Sequence, residues 1–149
     1  MLRPTRLLTL APLLAAPLLL TACGSPDVTK ARLDKALAPE FDNVYAARSA
    51  ILGETVSPDQ VHAKVDCDRG GPKVKDVGAG ADWLCKLSFV DDKGQQQDSK
   101  LELQVRANST YVAGGPSKLV GTVMITDART GDQVVNPAFE FDGAFDPNS

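Results

Sequence analysis

Apolar residues beyond position 25 recur at helical spacing until about position 52. Ser25 followed by proline and aspartate is typical of a helix start, and Gly53 is typical of a helix end. Pro39 lies between these limits and predicts a break into two helices. The positions spaced three, four or seven apart predict a buried helical face, on which Phe41 and Tyr45 are core residues. This face comprises Leu33, Ala36, Leu37, Phe41, Val44, Tyr45, Ile51 and Leu52.

From position 61 onward the pattern changes from helical spacing to alternation. Apolar and polar residues alternate along 61–67, 83–89 and 100–107, as expected of strands that are buried on one face. Two further apolar runs, 119–126 and 133–141, predict two more strands.

Turn residues at 91–94 and 127–132 predict hairpins between neighbouring strands. Helices followed by a strand meander predict an α+β fold. We expect N-terminal helices packed on one face of an antiparallel sheet of about five strands, in a cystatin-like or similar arrangement.

The segment before this pattern has the organisation of an export signal. Arg3 and Arg6 precede an apolar stretch, 7–20, which is shorter than the roughly 20 residues of a membrane-spanning helix. The stretch ends in Leu20-Thr21-Ala22-Cys23, which resembles a bacterial lipobox. The resemblance implies that the signal is cut before Cys23 and that a lipid is attached to its thiol. The alternative is an ordinary secretory signal followed by an unrelated cysteine.

Lipidation of Cys23 predicts where the protein resides and how it is organised. Two or more acyl chains hold a protein stably on a membrane, so we expect a lipid anchor on the extracytoplasmic face of the cell membrane. The predicted divisions are a signal peptide (1–22), a lipidated cysteine with a short tether (23–26) and a single α+β domain (27–149). So short a tether predicts that Lys30, Arg32 and Lys35 lie near the lipid phosphates.

Two cysteines remain after Cys23. In an exported protein, Cys67 and Cys85 are most simply interpreted as a disulfide, because the compartment is oxidising. Both fall on the apolar face of their predicted strands, which suits a bridge between neighbouring strands. A metal site is the alternative, but no further ligand pattern accompanies the pair. The intervening residues predict a long, glycine-rich surface loop.

The net charge and the candidate reactive residues restrict the classes of function that the sequence supports. The formal net charge is −3 and becomes about −5 once the signal arginines are removed, with no basic patch, so we expect no nucleic-acid partner. His62 lies on a polar face, which favours a solvent-exposed residue over a general base. Asp142 and Asp146 are carboxylates in a turn-rich terminus and are weak metal candidates. We expect no catalytic residues, no metal and no cofactor.

Several short stretches carry a resemblance to a family. They are Ile51-Leu52-Gly53, Asp82-Trp83-Leu84-Cys85, Leu103-Gln104-Val105-Arg106, Leu119-Val120-Gly121, and Asn136-Pro137 with the following FEFDGAFD. Together they resemble the small, uncharacterised lipoproteins of actinobacteria. The resemblance implies a lipid-anchored extracytoplasmic domain with no assigned activity. It also implies a second cysteine pair at the positions that Thr110 and Ala144 occupy here, so this chain lacks that bridge.

Three functions are compatible with these observations. We favour a membrane-anchored binding or accessory module of the cell envelope, with a protein partner and no enzymatic activity. The alternative is a small-ligand carrier with an apolar cavity between helices and sheet, which requires roughly 300 Å³ of enclosed space. An enzyme would need a cluster of titratable groups with perturbed pKa values, and the sequence offers no obvious set.

Overall fold

A five-stranded antiparallel sheet and one long helix form the main body of the protein. The computed structural model describes residues 28–145. The signal peptide, Cys23 and the tether predicted before Asp27 lie outside these residues. The sheet has the order β1-β2-β3-β4-β7, and β5 and β6 form a separate two-stranded ribbon. In chain order, the elements are α1 (Lys30–Ile51), α2 (Pro58–Val61), β1 (Lys64–Asp68), β2 (Gly80–Val90), β3 (Gln96–Val105), β4 (Thr110–Gly114), α3 (Ser117–Val120), β5 (Met124–Thr126), β6 (Gln133–Val135) and β7 (Glu140–Ala144).

The helix α1 runs without interruption through Pro39. The prediction of a break at this residue is therefore wrong. Pro39 is exposed, and residues on both sides of it bury the same face of the helix against the sheet, including Leu37 and Phe41. Burial of this shared face keeps the two halves aligned despite the lost backbone hydrogen bond. The helix is capped by Thr29, whose side chain accepts a hydrogen bond from the Arg32 N–H, and it ends before Gly53, whose φ is +82°.

The alternation predicted for the central strands is confirmed. In β2, Trp83, Cys85, Leu87 and Phe89 are buried, and they share a face with the buried residues of the neighbouring strands. The opposite face carries charged and polar residues such as Lys86 and Glu102, which are exposed. Because α1 covers the apolar face, the α+β prediction, with helix packed on antiparallel sheet, is confirmed. The likeness to cystatins stays a prediction.

The boundaries of the other predicted strands differ from the structure. Residues 58–61 form α2, and Val61 is buried at its end, so the first strand begins only at Lys64. The run 119–126 divides into the end of α3 and β5, and the run 133–141 divides into β6 and β7. The buried side chain of Asn136 explains the second division. Its amide donates to the carbonyl oxygens of Val120 and Thr122, which turns the chain away from the ribbon.

Four aromatic rings fill the space between α1 and the sheet. Phe41 lies 4.9 Å from Phe89 and 6.2 Å from Phe141, measured between ring centroids. Tyr45 lies 5.0 Å from Phe89 by the same measure. The predicted core roles of Phe41 and Tyr45 are confirmed, since both are at most 2% exposed.

The antiparallel arrangement gives the protein two ends. The proximal end contains Val28, the loop 69–79 and the turn 106–109, which adjoin the start of α1 and the start of β2. The distal end contains the end of α1, the hairpin 91–95 and the hairpin 127–132, and the Ala128 N–H donates to the Ile51 carbonyl there. With 22 residues at about 1.5 Å each, α1 separates the ends by roughly 33 Å.

Candidate functional site

The disulfide joins the edge strand β1 to β2. Cys67 and Cys85 are directly opposite in the register, with Cα atoms 3.9 Å apart, and they form the bridge that the sequence predicts. The Cys67 N–H donates to Asp34 Oδ1 of α1 at 2.9 Å, so it faces away from β2. The cysteines therefore occupy a non-hydrogen-bonded pair, where side chains of neighbouring strands lie closest. The bridge ties the base of the loop 69–79.

A polar cluster lies at the distal end, where α1 finishes. Its centre is Arg48, whose side chain is only 12% exposed. The Arg48 Nε–H donates to the Val120 carbonyl at 2.7 Å, and the guanidinium carbon lies 5.4 Å from the centroid of the Tyr45 ring. Arg48 Nη1 lies 4.0 Å from Glu54 Oε2, at the limit of an ion pair. We call Tyr45, Arg48, Ser49, Glu54 and Asp92 the distal cluster.

Several atoms of the distal cluster have no hydrogen-bond partner. Among the described residues, four buried side-chain polar atoms are unpaired, and three of them are Arg48 Nη1, Ser49 Oγ and Glu54 Oε2. A buried polar atom without a partner costs about 1–3 kcal/mol. Because Arg48 Nη1 and Glu54 Oε2 are only 4.0 Å apart, their mutual attraction offsets part of this cost, and Arg48 Nη1 keeps hydrogen-bonding capacity for a water or a polar ligand group.

The pKa values of two groups in the distal cluster are raised. Burial is the largest cause for Glu54, and the nearby carboxyl of Asp92 raises the pKa of Glu54 further, while Arg48 acts in the opposite direction. Burial also raises the pKa of Tyr45, whose hydroxyl accepts a hydrogen bond from the Asp92 N–H at 3.3 Å. The cluster therefore combines a guanidinium, a carboxyl group with a raised pKa and a phenol with a raised pKa.

The distal cluster borders an open cleft of about 300 Å³. The cleft lies between α1, the hairpin 91–95 and α3, and its polar lining includes Arg48, Asp92, Lys93 and Lys118. A second cleft of about 320 Å³ lies on the other side of the hairpin and shares Asp91 and Asp92 with the first. Mixed charges and free donors suit hydrogen bonding to a polar ligand or peptide segment and identify no reaction.

The sequence contains one indication of the distal cluster that the spacing of apolar residues alone does not reveal. Ser49 is completely buried and follows Phe41 and Tyr45 at intervals of four, so it lies on the apolar face of α1. A serine on such a face indicates a polar environment inside the fold. Glu54 and Asp92 give no comparable signal, because their proximity arises only from the tertiary structure.

The other residues singled out in the sequence lie apart from this cluster. His62 is exposed at the end of α2, with a φ of +53°, as its polar alternation predicts. Asp142 is exposed on β7, and Asp146 lies outside the described residues. At the proximal end, Lys30 Nζ pairs with Asp34 and Asp66, so this predicted phosphate-facing cation already has two carboxylate partners.

Between Val28 and Phe145, no group of three or more histidine, cysteine, aspartate or glutamate residues is placed to hold a metal ion. Within the same range, no helix is both long enough and apolar enough to cross a membrane. In comparisons with known proteins, no family model, no curated protein and no solved structure matches the chain.

Proposed function

We propose that the protein is a lipid-anchored module of the cell envelope that binds a polar segment of another envelope component at its distal cleft. The distal cluster carries this proposal, because three of its residues, Tyr45, Arg48 and Asp92, line an open and mainly polar cleft, and Arg48 has a nitrogen without a hydrogen-bond partner. The anchor is Cys23, lipidated after removal of the signal peptide 1–22, and the module acts on the extracytoplasmic face without catalysing a reaction.

The arrangement of the two ends supports a binding role. Val28 follows Cys23 by only five positions, so an anchor at Cys23 holds the proximal end within about 17 Å of the lipid attachment. The distal cleft then projects roughly 33 Å beyond the start of α1, which is the length of the helix. A partner in the same membrane reaches the cleft when its polar region extends a comparable distance from the bilayer.

The packing of the core is unfavourable to the alternative function as a carrier of apolar ligands. Ring centroids of Phe41, Phe89 and Tyr45 lie 4.9 to 5.8 Å apart in the space between α1 and the sheet. An apolar ligand would have to displace these rings. Both clefts at the distal end are open to solvent, and the one beside α3 is lined mainly by polar groups, which suits binding at the surface.

Photo-crosslinking in cells tests the binding site. A photoreactive amino acid replaces Lys93, at the rim of the distal cleft, in the full chain produced in its lipidated form. The control position is Lys100, which is exposed in the middle of β3 away from the cleft. We expect position 93 to yield one reproducible adduct and position 100 to yield none.

A second variant ties the adduct to the chemistry of the cleft. Lys118→Ser removes a cation from the lining, and we expect it to reduce the adduct severalfold, whereas Lys100→Ser leaves it unchanged. Equal adducts from positions 93 and 100, or indifference to Lys118→Ser, would refute binding at the distal cleft. Cys23→Ala tests the anchor separately, since the protein should then leave the membrane fraction or stay unprocessed.

A further inference from the structure

The loop 69–79 at the proximal end is held against the chain that leads into α1. The Gly78 N–H donates to the Val28 carbonyl at 2.8 Å, and the Lys30 N–H donates to the Asp76 carbonyl at 3.1 Å. Thr29 and Val77 form an isolated antiparallel bridge between these contacts. These hydrogen bonds fix the position of the loop relative to residue 28. The disulfide joins the two strands that flank the loop.

Internal contacts occupy the carboxylates of this loop. The Arg69 guanidinium donates to both carboxylate oxygens of Asp82, with the shortest distance 2.7 Å, and the Arg69 N–H donates to Asp76 Oδ1 at 2.9 Å. Asp68 accepts hydrogen bonds from the N–H groups of Gly70 and Gly71. The negative charges nearest the loop are therefore paired within the protein, although the Asp82 side chain remains 52% exposed.

The tip of the loop presents apolar and basic side chains to solvent. Val74 is 44% exposed and Val77 is 48% exposed, and they are two of the five large hydrophobic residues that are exposed among residues 28–145. Lys73 and Lys75 alternate with Val74 and are exposed. Among the described contacts, neither ammonium group has an ion-pair or hydrogen-bond partner. Side chains of both kinds together are typical of a surface that contacts the membrane interface.

We propose that the tip, comprising Lys73, Val74, Lys75 and Val77, docks onto the anionic surface of the membrane that anchors the protein. The inference rests on the proposed lipidation of Cys23. Five residues reach at most about 17 Å from that cysteine to Val28, and the loop is hydrogen-bonded to Val28 itself. The bilayer is consequently the largest surface within reach of the tip, and its negative charge complements the two free ammonium groups.

This contact gives the short tether a function. A lipid anchor alone holds the protein on the membrane but leaves its tilt unrestricted. A second contact, made by the tip, keeps the proximal end against the membrane and directs the distal cleft away from it. Each lysine near an anionic surface strengthens association about fivefold, so two lysines suffice to bias the orientation of a protein that is already anchored.

Amine footprinting of the full-length lipidated protein tests the inference. The protein is reconstituted in vesicles of equal parts phosphatidylglycerol and phosphatidylcholine, treated briefly with an amine-reactive reagent and digested for mass spectrometry. We expect Lys73 and Lys75 to react about fivefold more slowly than in vesicles of phosphatidylcholine alone. Lys93 at the distal end serves as the internal reference and should react equally in both.

Matched valine variants test the apolar part of the contact while leaving the lysines in place as reporters. We call protection the factor by which anionic lipid slows the reaction of Lys73 and Lys75. Val74→Ser with Val77→Ser should reduce this protection by about threefold. The control is Val123→Ser with Val135→Ser, because these valines are 51% and 65% exposed in and beside the ribbon β5–β6. This control variant should leave the protection of Lys73 and Lys75 unchanged.

The outcomes separate this inference from the proposed function. The same digest reports whether the N-terminal peptide carries a diacylglycerol on Cys23. If the lipid is absent, the proposed anchoring fails and the docking of the tip fails with it. If the lipid is present and Lys73 and Lys75 react as fast as in phosphatidylcholine, only the docking of the tip is refuted.

Discussion

Tyr111 and Gly143 face each other across β4 and β7 so closely that a Cβ atom at position 143 would lie 2.5 Å from Tyr111 Oη. Tyr111 is only 1% exposed, so its ring has little space to move. We expect Gly143→Ala to lower the free energy of unfolding by about 1–3 kcal/mol, measured by urea denaturation. Tyr111→Leu in the same chain should recover part of this loss, whereas a neutral effect of Gly143→Ala alone would contradict the packing.

The disulfide makes a larger contribution to stability. It closes a loop with a sequence separation of 18 residues, for which the chain-entropy relation gives about 3 kcal/mol. We expect Cys67→Ala with Cys85→Ala to lower the free energy of unfolding by about this amount in urea. Reduction of the wild-type protein should produce a similar loss. A double variant as stable as the oxidised protein would show that the bridge does not constrain the unfolded chain.

How far the sequence predicts this fold depends on how each segment is buried. The strands β2 and β3 are buried on one face only, so alternation identifies them and also places Cys67 opposite Cys85. The region 115–140 behaves differently, because its short elements are held by single polar contacts such as those of Asn136. The spacing of apolar residues, with a period of two in strands and 3.6 in helices, carries no information about such contacts. The distal cluster is hidden for a similar reason, since Arg48, Glu54 and Asp92 meet only after folding.

The positions of Thr110 and Ala144 suit an engineered bridge. They are directly opposite in β4 and β7, and the Phe145 N–H donates to the Ser109 carbonyl just beside them. They therefore form a non-hydrogen-bonded pair, as Cys67 and Cys85 do. We expect Thr110→Cys with Ala144→Cys to oxidise spontaneously and to raise the free energy of unfolding by up to about 4 kcal/mol.

A diagonal pair provides the control for this bridge. Asp142 is two residues from Ala144 on the same strand, so Thr110→Cys with Asp142→Cys places the cysteines about 7–8 Å apart. That separation exceeds what a disulfide spans without backbone movement. Mass spectrometry of non-reduced digests should find the linked peptides only in the directly opposed variant. Equal oxidation of both variants would contradict the register of β4 and β7.

Pro39 offers a test of why α1 stays continuous. Proline in a helix interior, such as Pro39 in α1, removes one backbone hydrogen bond and costs about 3 kcal/mol relative to alanine. Because Pro39 is exposed, its replacement changes little of the packing. We expect Pro39→Ala to raise the free energy of unfolding by about 1–3 kcal/mol. Loss of stability on this replacement would indicate that Pro39 makes a packing contact that the helix needs.

The distal cluster predicts an unusual dependence of stability on pH. Burial, with the neighbouring carboxyl of Asp92, raises the pKa of Glu54 above its usual value of 4.5. The folded protein therefore holds the Glu54 proton more tightly than the unfolded chain does. This contribution to stability is fully present below pH 4.5 and is lost as the pH rises through the raised pKa of the folded state. Glu54→Gln imitates the protonated form at every pH.

We therefore expect Glu54→Gln to be at least as stable as the wild-type protein at pH 7. The difference in the free energy of unfolding should grow as the pH rises from about 4.5 and should level off above the raised pKa. Glu102→Gln, on the exposed face of β3, is the control and should show no such trend. If Glu54→Gln is instead less stable at pH 7, by a margin that disappears in acid, then the attraction between Arg48 and ionised Glu54 outweighs burial. Glu54 would then be ionised in the folded protein and paired with Arg48.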